Sequence, residues 1–395
     1  MAEAVIVAGA RTPIGKLSGA FAGFTAMDLG GFAIAEALQR AGVAPDQVDY
    51  VLMGQVILAG QGQITARQAA VKAGIPMNVP ANTINKVCLS GLNTIYLADQ
   101  MIRAGDAEIV VAGGMESMTQ APHLLPGARA GFRLGDGTLV DSMMYDGLTD
   151  SFDHIAMGLS TEQHNQATAK ISRERQDGFA AASHEKAAAA IKEGRLAEEI
   201  VPVEVPQRKG DPLVVDTDEG VRPGTTAESL GGLRPAFDKN GSITAGNSSQ
   251  ISDGGCAVIV MSVDKAKELG VAPLGKVVGY GMVAGPNNSL LTQPSHAIVK
   301  ALQKAGTDLA AIDLFEINEA FAAVGLASVD DLGIDEDKVN VNGGAIALGH
   351  PVGMSGTRVA LTALLELRRR GASTAAVALC GGGGQGDAIL LKTVA

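Results

Sequence analysis

Two stretches of this chain are built on one plan. VCLSGLNTIYLADQMIRAGDAEIVVAGG (87–114) and GMSGTRVALTALLELRRRGASTAAVALCGG (353–382) each run from a Ser-Gly helix start through a long helix with a basic end to an apolar strand and a Gly pair. VDYVLMGQV (48–56) and IDLFEINEA (312–320) repeat in the same way. Such internal repetition implies one supersecondary unit used twice, so the chain is expected to fold as two related halves.

The apolar periodicity within each copy sets the fold class. Strands are expected at 4–8, 48–56, 81–87 and 108–112, and helices at 27–41 (ended by Gly42), 64–73 and 89–103. From Gly275 the alternation resumes, with strands at 276–283, 312–317, 339–341 and 375–379 and helices at 295–305 and 356–370. Alternating strands and helices imply an α/β protein with βαβ units around mostly parallel sheets. Between the copies, about 115–245 is richer in charge, Pro and loops, with a polar helix near 173–192, and reads as an insertion over the first sheet.

The chain's 395 residues exceed one ordinary core. Only 3% are aromatic and none is Trp, while 51 are Gly, so backbones are expected to approach closely. A net charge of -11 argues against a nucleic-acid partner. The one basic run, Arg368-Arg369-Arg370, suits a helix C-terminus. No apolar stretch reaches the length of a membrane span, and the N-terminus reads as a first strand with no basic leader. Cys88, Cys256 and Cys380 lie too far apart for a disulfide framework and lack metal-ligand spacing, which suits a reducing cytoplasm.

Four segments carry candidate chemistry. CGGGGQG (380–386) spells G-x-G-x-x-G, but the six residues Asp387–Lys392 are too few for the helix of a dinucleotide site and read as an edge strand. Asp387 also stands where a phosphate-binding loop needs Lys. Either the glycines clear side chains from around Cys380, or they make a tight turn after a buried Cys. In NKVCLSG (85–91), Cys88 stands between a strand and a helix start, where free N–H groups would favour a thiolate; a small core residue is the other reading. His350 lies between Gly349 and Pro351, and Pro restricts its backbone to extended forms. Asn318, between Glu316 and Glu319, suits either an oxyanion donor or a helix N-cap. Together these residues suit covalent thioester chemistry: one thiolate takes an acyl group, His activates it, and a second thiol of near-neutral pKa moves a proton at an α-carbon.

With RTPIGKLSGAFA (11–22), AGGMESMTQAP (112–122), TAGNSSQISDGG (244–255), NEAFA (318–322) and GGAIALGHPVGMSG (343–356), these segments resemble the thiolase family, in order and along essentially the whole chain. The resemblance implies duplicated βαβαβαββ halves packed as layered α/β/α/β/α, with a first domain over 1–270 that includes the inserted loop domain and a second over 271–395. It implies that Cys88 is acylated, that His350 activates it and that Cys380 deprotonates the second acyl-CoA. Asn318 would hold a water that forms one oxyanion hole with His350, and the N–H groups of Cys88 and Gly382 would form the other. Arg222 and Ser249 match coenzyme A contacts, while Cys256 matches no role and is left to the core. The implied substrates are CoA thioesters, with no metal, no permanently bound cofactor and no membrane or nucleic-acid partner, in a cytoplasmic homotetramer of fatty acid metabolism. The implied reaction is the reversible condensation of two acetyl-CoA to acetoacetyl-CoA and CoA. A decarboxylating synthase of the same superfamily usually pairs Cys with His-His or His-Asn, so Cys380 argues for the thiolase. Ala156 replaces a His of the short-chain enzymes and Leu290-Leu291 replace a Met-Gly loop, so thiolysis of longer 3-ketoacyl-CoA in β-oxidation is the alternative.

Overall fold

The computed structural model describes residues 2–394. The first half contains strands β1 (Ala4–Arg11), β2 (Tyr50–Gly54), β3 (Ala81–Ile84), β4 (Ile109–Ser117) and β5 (Ser252–Ser262). Helices α1 (Ala26–Ala41), α2 (Thr65–Lys72) and α3 (Ser90–Ala104) join the first four strands. The insertion between β4 and β5 carries α4 (Arg173–Lys192). The second half contains β6 (Lys276–Ala284), α5 (Gln293–Ala305), β7 (Leu314–Ile317), α6 (Ala322–Leu332), α7 (Ser355–Arg370), β8 (Thr374–Gly381) and β9 (Gln385–Lys392).

The first sheet runs β1-β5-β4-β2-β3 and the second β6-β9-β8-β7. Neither is mostly parallel. Only β4/β2, β2/β3 and β8/β7 pair in parallel; β1/β5, β5/β4, β6/β9 and β9/β8 are antiparallel. Parallel neighbours need a crossover helix, whereas β5 returns from the insertion and β9 from a tight hairpin. Three further expectations are corrected. Residues 385–392 form an inner strand between β6 and β8, not an edge. Residues 339–341 form no strand, only a bridge from Val339 to Phe315, because Asn340 turns to φ 47° and its amide bonds the ends of β7 instead. Strand β4 continues to Ser117, past the expected start of the insertion, and β5, fully buried, has no counterpart in the sequence reading.

Period-two alternation assigns the faces of β4. Val110 and Ala112 face inward with Leu92 and Ile95 of α3 and Leu361 and Leu364 of α7, while Ile109 and Val111 face outward to Ile34 and Leu38 of α1 and Ala69 of α2. On the second sheet Val377 and Ile389 join the inner core, and Ala376 and Leu390 pack outward on Ile298 and Ala301 of α5. The layers are therefore α/β/α/β/α, with α3 and α7 shared at the centre. These helices touch through the Ser-Gly starts of the repeat. A Cβ on Gly91 would lie 2.8 Å from Gly353 O, and one on Gly356 would meet the backbone N of Leu92. The elements ahead of both helices thus meet at one point between the sheets.

Candidate active site

Cys88 lies in the turn between β3 and α3. Its predecessor Val87 adopts φ 50°, unusual for a β-branched residue, and the loop's own hydrogen bonds hold it there. Lys86 N donates to Ser90 Oγ (2.8 Å), Ser90 Oγ donates to Val87 O (2.6 Å) and Val87 N donates to Asn85 Oδ1 (3.1 Å). The Ser of the Ser-Gly start therefore shapes the loop in front of it. Opposite, β8 ends at Gly381, just past Cys380, and turns through Gly382, Gly383 (φ 77°) and Gly384 (φ 66°). A Cβ on Gly381 would lie 2.6 Å from Leu89 Cγ, one on Gly382 3.4 Å from Val87, and one on Gly384 would overlap the backbone of Asn287. These glycines do more than clear space at Cys380: they let the Cys88 loop and the 287–293 segment close onto the hairpin.

The two thiols and His350 are all buried. Burial pushes the Cys88 thiol up to about 12; the backbone N–H groups of Cys88 and Gly382 pull it only partly back, and Glu116 opposes them. Burial and then the neighbouring Cys88 push Cys380 above its ordinary range as well. The thiolate expected at Cys88 and the near-neutral thiol expected at Cys380 are thus both corrected. Loss of hydration on burial outweighs the dipole of a helix start. Burial, with Arg358 nearby, lowers His350 to about 3, so its imidazole is neutral at pH 7.

His350 is held from both sides. Gly349 before it takes φ 115°, and a Cβ there would lie 2.7 Å from Ile14 Cγ2, so only Gly fits. His350 Nδ1 lies 2.6 Å from Ser355 Oγ, and that hydroxyl donates its proton to Pro351 O at 3.0 Å. Ser355 can then only accept from Nδ1–H, which leaves the Nε2 lone pair as the base. Asn318 Nδ2 stands 3.5 Å from Nε2, and Asn318 N donates to Ala378 O at 3.0 Å. The Asn is no cap, since the N-cap of α6 is Phe321. Among the described residues Asn318 Oδ1 has no hydrogen-bond partner, so it is open to a water or a substrate atom.

Arg222 and Ser249 line one cleft of about 480 Å³ with Lys16, Met157, Phe237 and Phe321. Ser249 N donates to Ala320 O (3.0 Å), which ties the cleft to the Asn318 loop. Arg222 N donates to His184 Nδ1 (3.1 Å), a supporting role for a His that sequence reasoning set aside. Ala156 also lines this cleft, and Leu290 and Leu291 are buried in one cluster with Cys380, Ala320 and Val324. Cys256 is a fully buried core residue. Two other supports were missed. Glu116 accepts from Val56 N (2.9 Å), Ile57 N (3.2 Å) and Gly353 N (3.0 Å), and burial raises it to about 7. Ser355 was read only as a helix start. The signal for both was present, a Glu and a Ser inside quoted motifs; the partners of Glu116 are remote in sequence, whereas those of Ser355, His350 and Pro351, lie in the same motif.

The family model for the thiolase N-terminal domain matches residues 4–264, and that for the thiolase C-terminal domain matches 271–393. A probable acetyl-CoA acetyltransferase of Mycolicibacterium smegmatis is 59% identical over 388 residues, covering 98% of this chain and 100% of the relative. The acetyl-CoA acetyltransferase of Cupriavidus necator is 52% identical over 392 residues, covering 99% of this chain and 100% of the relative. The crystal structure of the Bacillus anthracis acetyl-CoA acetyltransferase superposes with a TM-score of 0.97 at 41% identity, covering 100% of this chain and 99% of that one. With matches from end to end of both halves and the duplicated layered fold, the chain belongs to the thiolase family.

Proposed function

We propose that this enzyme is an acetyl-CoA C-acetyltransferase that condenses two acetyl-CoA to acetoacetyl-CoA and CoA, and runs the reverse thiolysis, through an acetyl-Cys88 intermediate. The observation that carries the reading is a buried pair of neighbouring thiols, Cys88 and Cys380, with a buried neutral His350 3.5 Å from Asn318 and a cleft lined by Arg222 and Ser249 that Ser249 N ties to the Asn318 loop.

Both thiols start protonated. His350 Nε2 takes the Cys88 proton as the sulfur attacks the thioester carbonyl, and the N–H groups of Cys88 and Gly382 receive the developing oxyanion. Cys380 gives its proton to the departing CoA sulfur. The acetyl enzyme then holds a Cys380 thiolate and an imidazolium. The thiolate removes an α-proton from the second acetyl-CoA, while His350 Nε2–H and a water on Asn318 stabilise the enolate oxygen. The enolate carbon attacks acetyl-Cys88, and the released Cys88 sulfur regains its proton from His350. Charge thus separates only with substrate bound, which suits a site whose burial disfavours both ions at rest.

Leu290 and Leu291, read from the sequence as a sign of longer chains, are buried in one cluster with Cys380 and are not among the residues lining the cleft, so they open no room there; Ala156 does line it. The family's cytoplasmic location, homotetramer and place in fatty acid metabolism are part of the same reading. Incubation with acetyl-CoA followed by peptide mass spectrometry tests it. The acetyl group is expected on Cys88 and lost in Cys88→Ala, together with turnover, by on the order of 10⁴-fold or more. An acetyl group on another residue, or faster cleavage of 3-ketoacyl-CoA of six or more carbons, would sink the acetyl assignment.

A further inference from the structure

Cys88 and Gly382, whose N–H groups are the expected oxyanion donors, belong to different halves of the molecule. Cys88 precedes α3 in the first half, and Gly382 lies in the β8–β9 hairpin of the second. A pair of donors works on one oxyanion only if the gap between them is held, so something must tie this loop to this hairpin.

One polar tie does so. Lys86, two residues before Cys88, donates from Nζ to both carboxylate oxygens of Asp387, at 2.7 and 2.8 Å. Asp387 is in β9 beside Gly386, which pairs with Cys380, and its side chain is fully buried. Tyr280 of β6 donates to the same carboxylate at 2.9 Å, and Asn93 of α3 donates to the Tyr280 oxygen at 3.0 Å. Tyr96 of α3 stacks on Tyr280 with ring centroids 3.6 Å apart and planes 5° from parallel. Loop and helix of the first half thus grip two strands of the second through one carboxylate. A buried carboxylate that accepts from an ammonium and a phenol is held in one geometry, because its loss of hydration leaves no competing water partner.

We propose that Lys86 and Asp387 are positioning residues for the acyl-transfer step, and that their ion pair sets the spacing between the Cys88 and Gly382 amides and between the two thiols. Neither touches the reacting atoms. The inference rests on the acetyl-Cys88 reading above and extends it. It also explains why an Asp follows the last Gly of CGGGGQG: it answers a Lys in the other half, not a phosphate.

The test compares the wild type with Asp387→Asn, an isosteric neutral change, and with Lys86→Met/Asp387→Asn, which removes both charges together. Acetylation of Cys88 is followed by quenched-flow mass spectrometry, with KM for acetyl-CoA and Tm measured alongside. The expected result is a Cys88 acetylation rate at least about tenfold lower in both variants, with KM within about threefold of the wild type. A purely structural pair would instead lower Tm and leave the acetylation rate of the folded fraction within about twofold of wild type; that result overturns the proposal. If the double variant does not fold, Asp387→Asn alone decides by the same threshold. Failure of the wild type to acetylate Cys88 would strike the parent reading instead, so the two failures are distinguishable.

Discussion

The two halves repeat one plan but use it differently. At the N-terminal ends of α3 and α7, Ser90 and Ser355 hold similar positions and both clamp the loop ahead of them. Ser90 shapes the backbone at Val87, whereas Ser355 fixes the tautomer of His350. At the strand ends, Ala112-Gly113-Gly114 of β4 corresponds to Cys380-Gly381-Gly382. In the first half a Cβ on Gly114 would collide with the Gly353 backbone, so that Gly pair is sealed inside the interface. In the second half Gly382 has only ordinary side-chain neighbours, Val87 and Met157, so the hairpin leaves its backbone facing the Cys88 loop. Duplication supplied two equivalent helix starts and two equivalent strand ends. The two copies differ in what stands beside them, Cys88 at one helix start and His350 at the other.

Substitutions at matched positions sharpen that contrast. The largest effects are expected at Cys88 and then at His350. His350→Asn should lower kcat by about 10²–10⁴-fold while Cys88→Ala removes acetylation altogether. It should also change stability against pH. The folded-state pKa of His350 is about 3, below the unfolded value of about 6.5, so its neutral burial is fully tolerated above that value and costs stability as pH falls toward 3. The wild type should therefore lose stability more steeply than His350→Asn by about 1.4 kcal/mol per pH unit between about pH 6 and pH 4, read by denaturant titration. Equal slopes would show that the imidazole is not buried neutral.

Next comes the helix contact. Gly356→Ala puts a methyl group onto the Leu92 backbone and should destabilise by about 1–3 kcal/mol, read as a shift in denaturation midpoint. A neutral result would show that α3 and α7 can part without cost. Ser355→Ala is a smaller change. It frees Nδ1–H from its acceptor and lets the imidazole adopt either tautomer, so kcat should fall about tenfold, with KM little changed and its acid limb moved. The matched Ser90→Ala should instead loosen the Cys88 loop, and an identical pH profile in both would erase the distinction drawn between the two starts. Smallest is Gly178→Ala in α4, where no atom lies within 4 Å of the added Cβ. It should stabilise by about 0.5–1 kcal/mol, opposite in sign to Gly356→Ala.

Much of this was legible before the fold was known. The repeat foretold two halves, and apolar periodicity gave the limits of α1, α3 and α7 within a residue, with Gly42 marking the end of α1, because periodicity and caps are local. What failed was non-local. Residues 339–341 carry strand-like side chains but pair only at Val339, since Asn340 turns the chain to serve β7. Residues 387–392, too few for a helix, read as an edge strand, and only pairing to β6 on one side and β8 on the other makes them central.

The sequence by itself determined the reagents: a Cys before a Ser-Gly start, a Gly-flanked His, an Asn after a strand and a second Cys before a glycine hairpin, in an order that carries the family. Their condition was decided by tertiary structure. Cys88 at a helix start looked poised to ionise, and it is burial between two halves that keeps it, and Cys380, as thiols. Glu116, Lys86 and Asp387 gain their meaning from partners distant along the chain, while Ser355 serves a local one, His350. Hydration and hydrogen bonding are properties of a place in the fold, and no local pattern of residues can specify them.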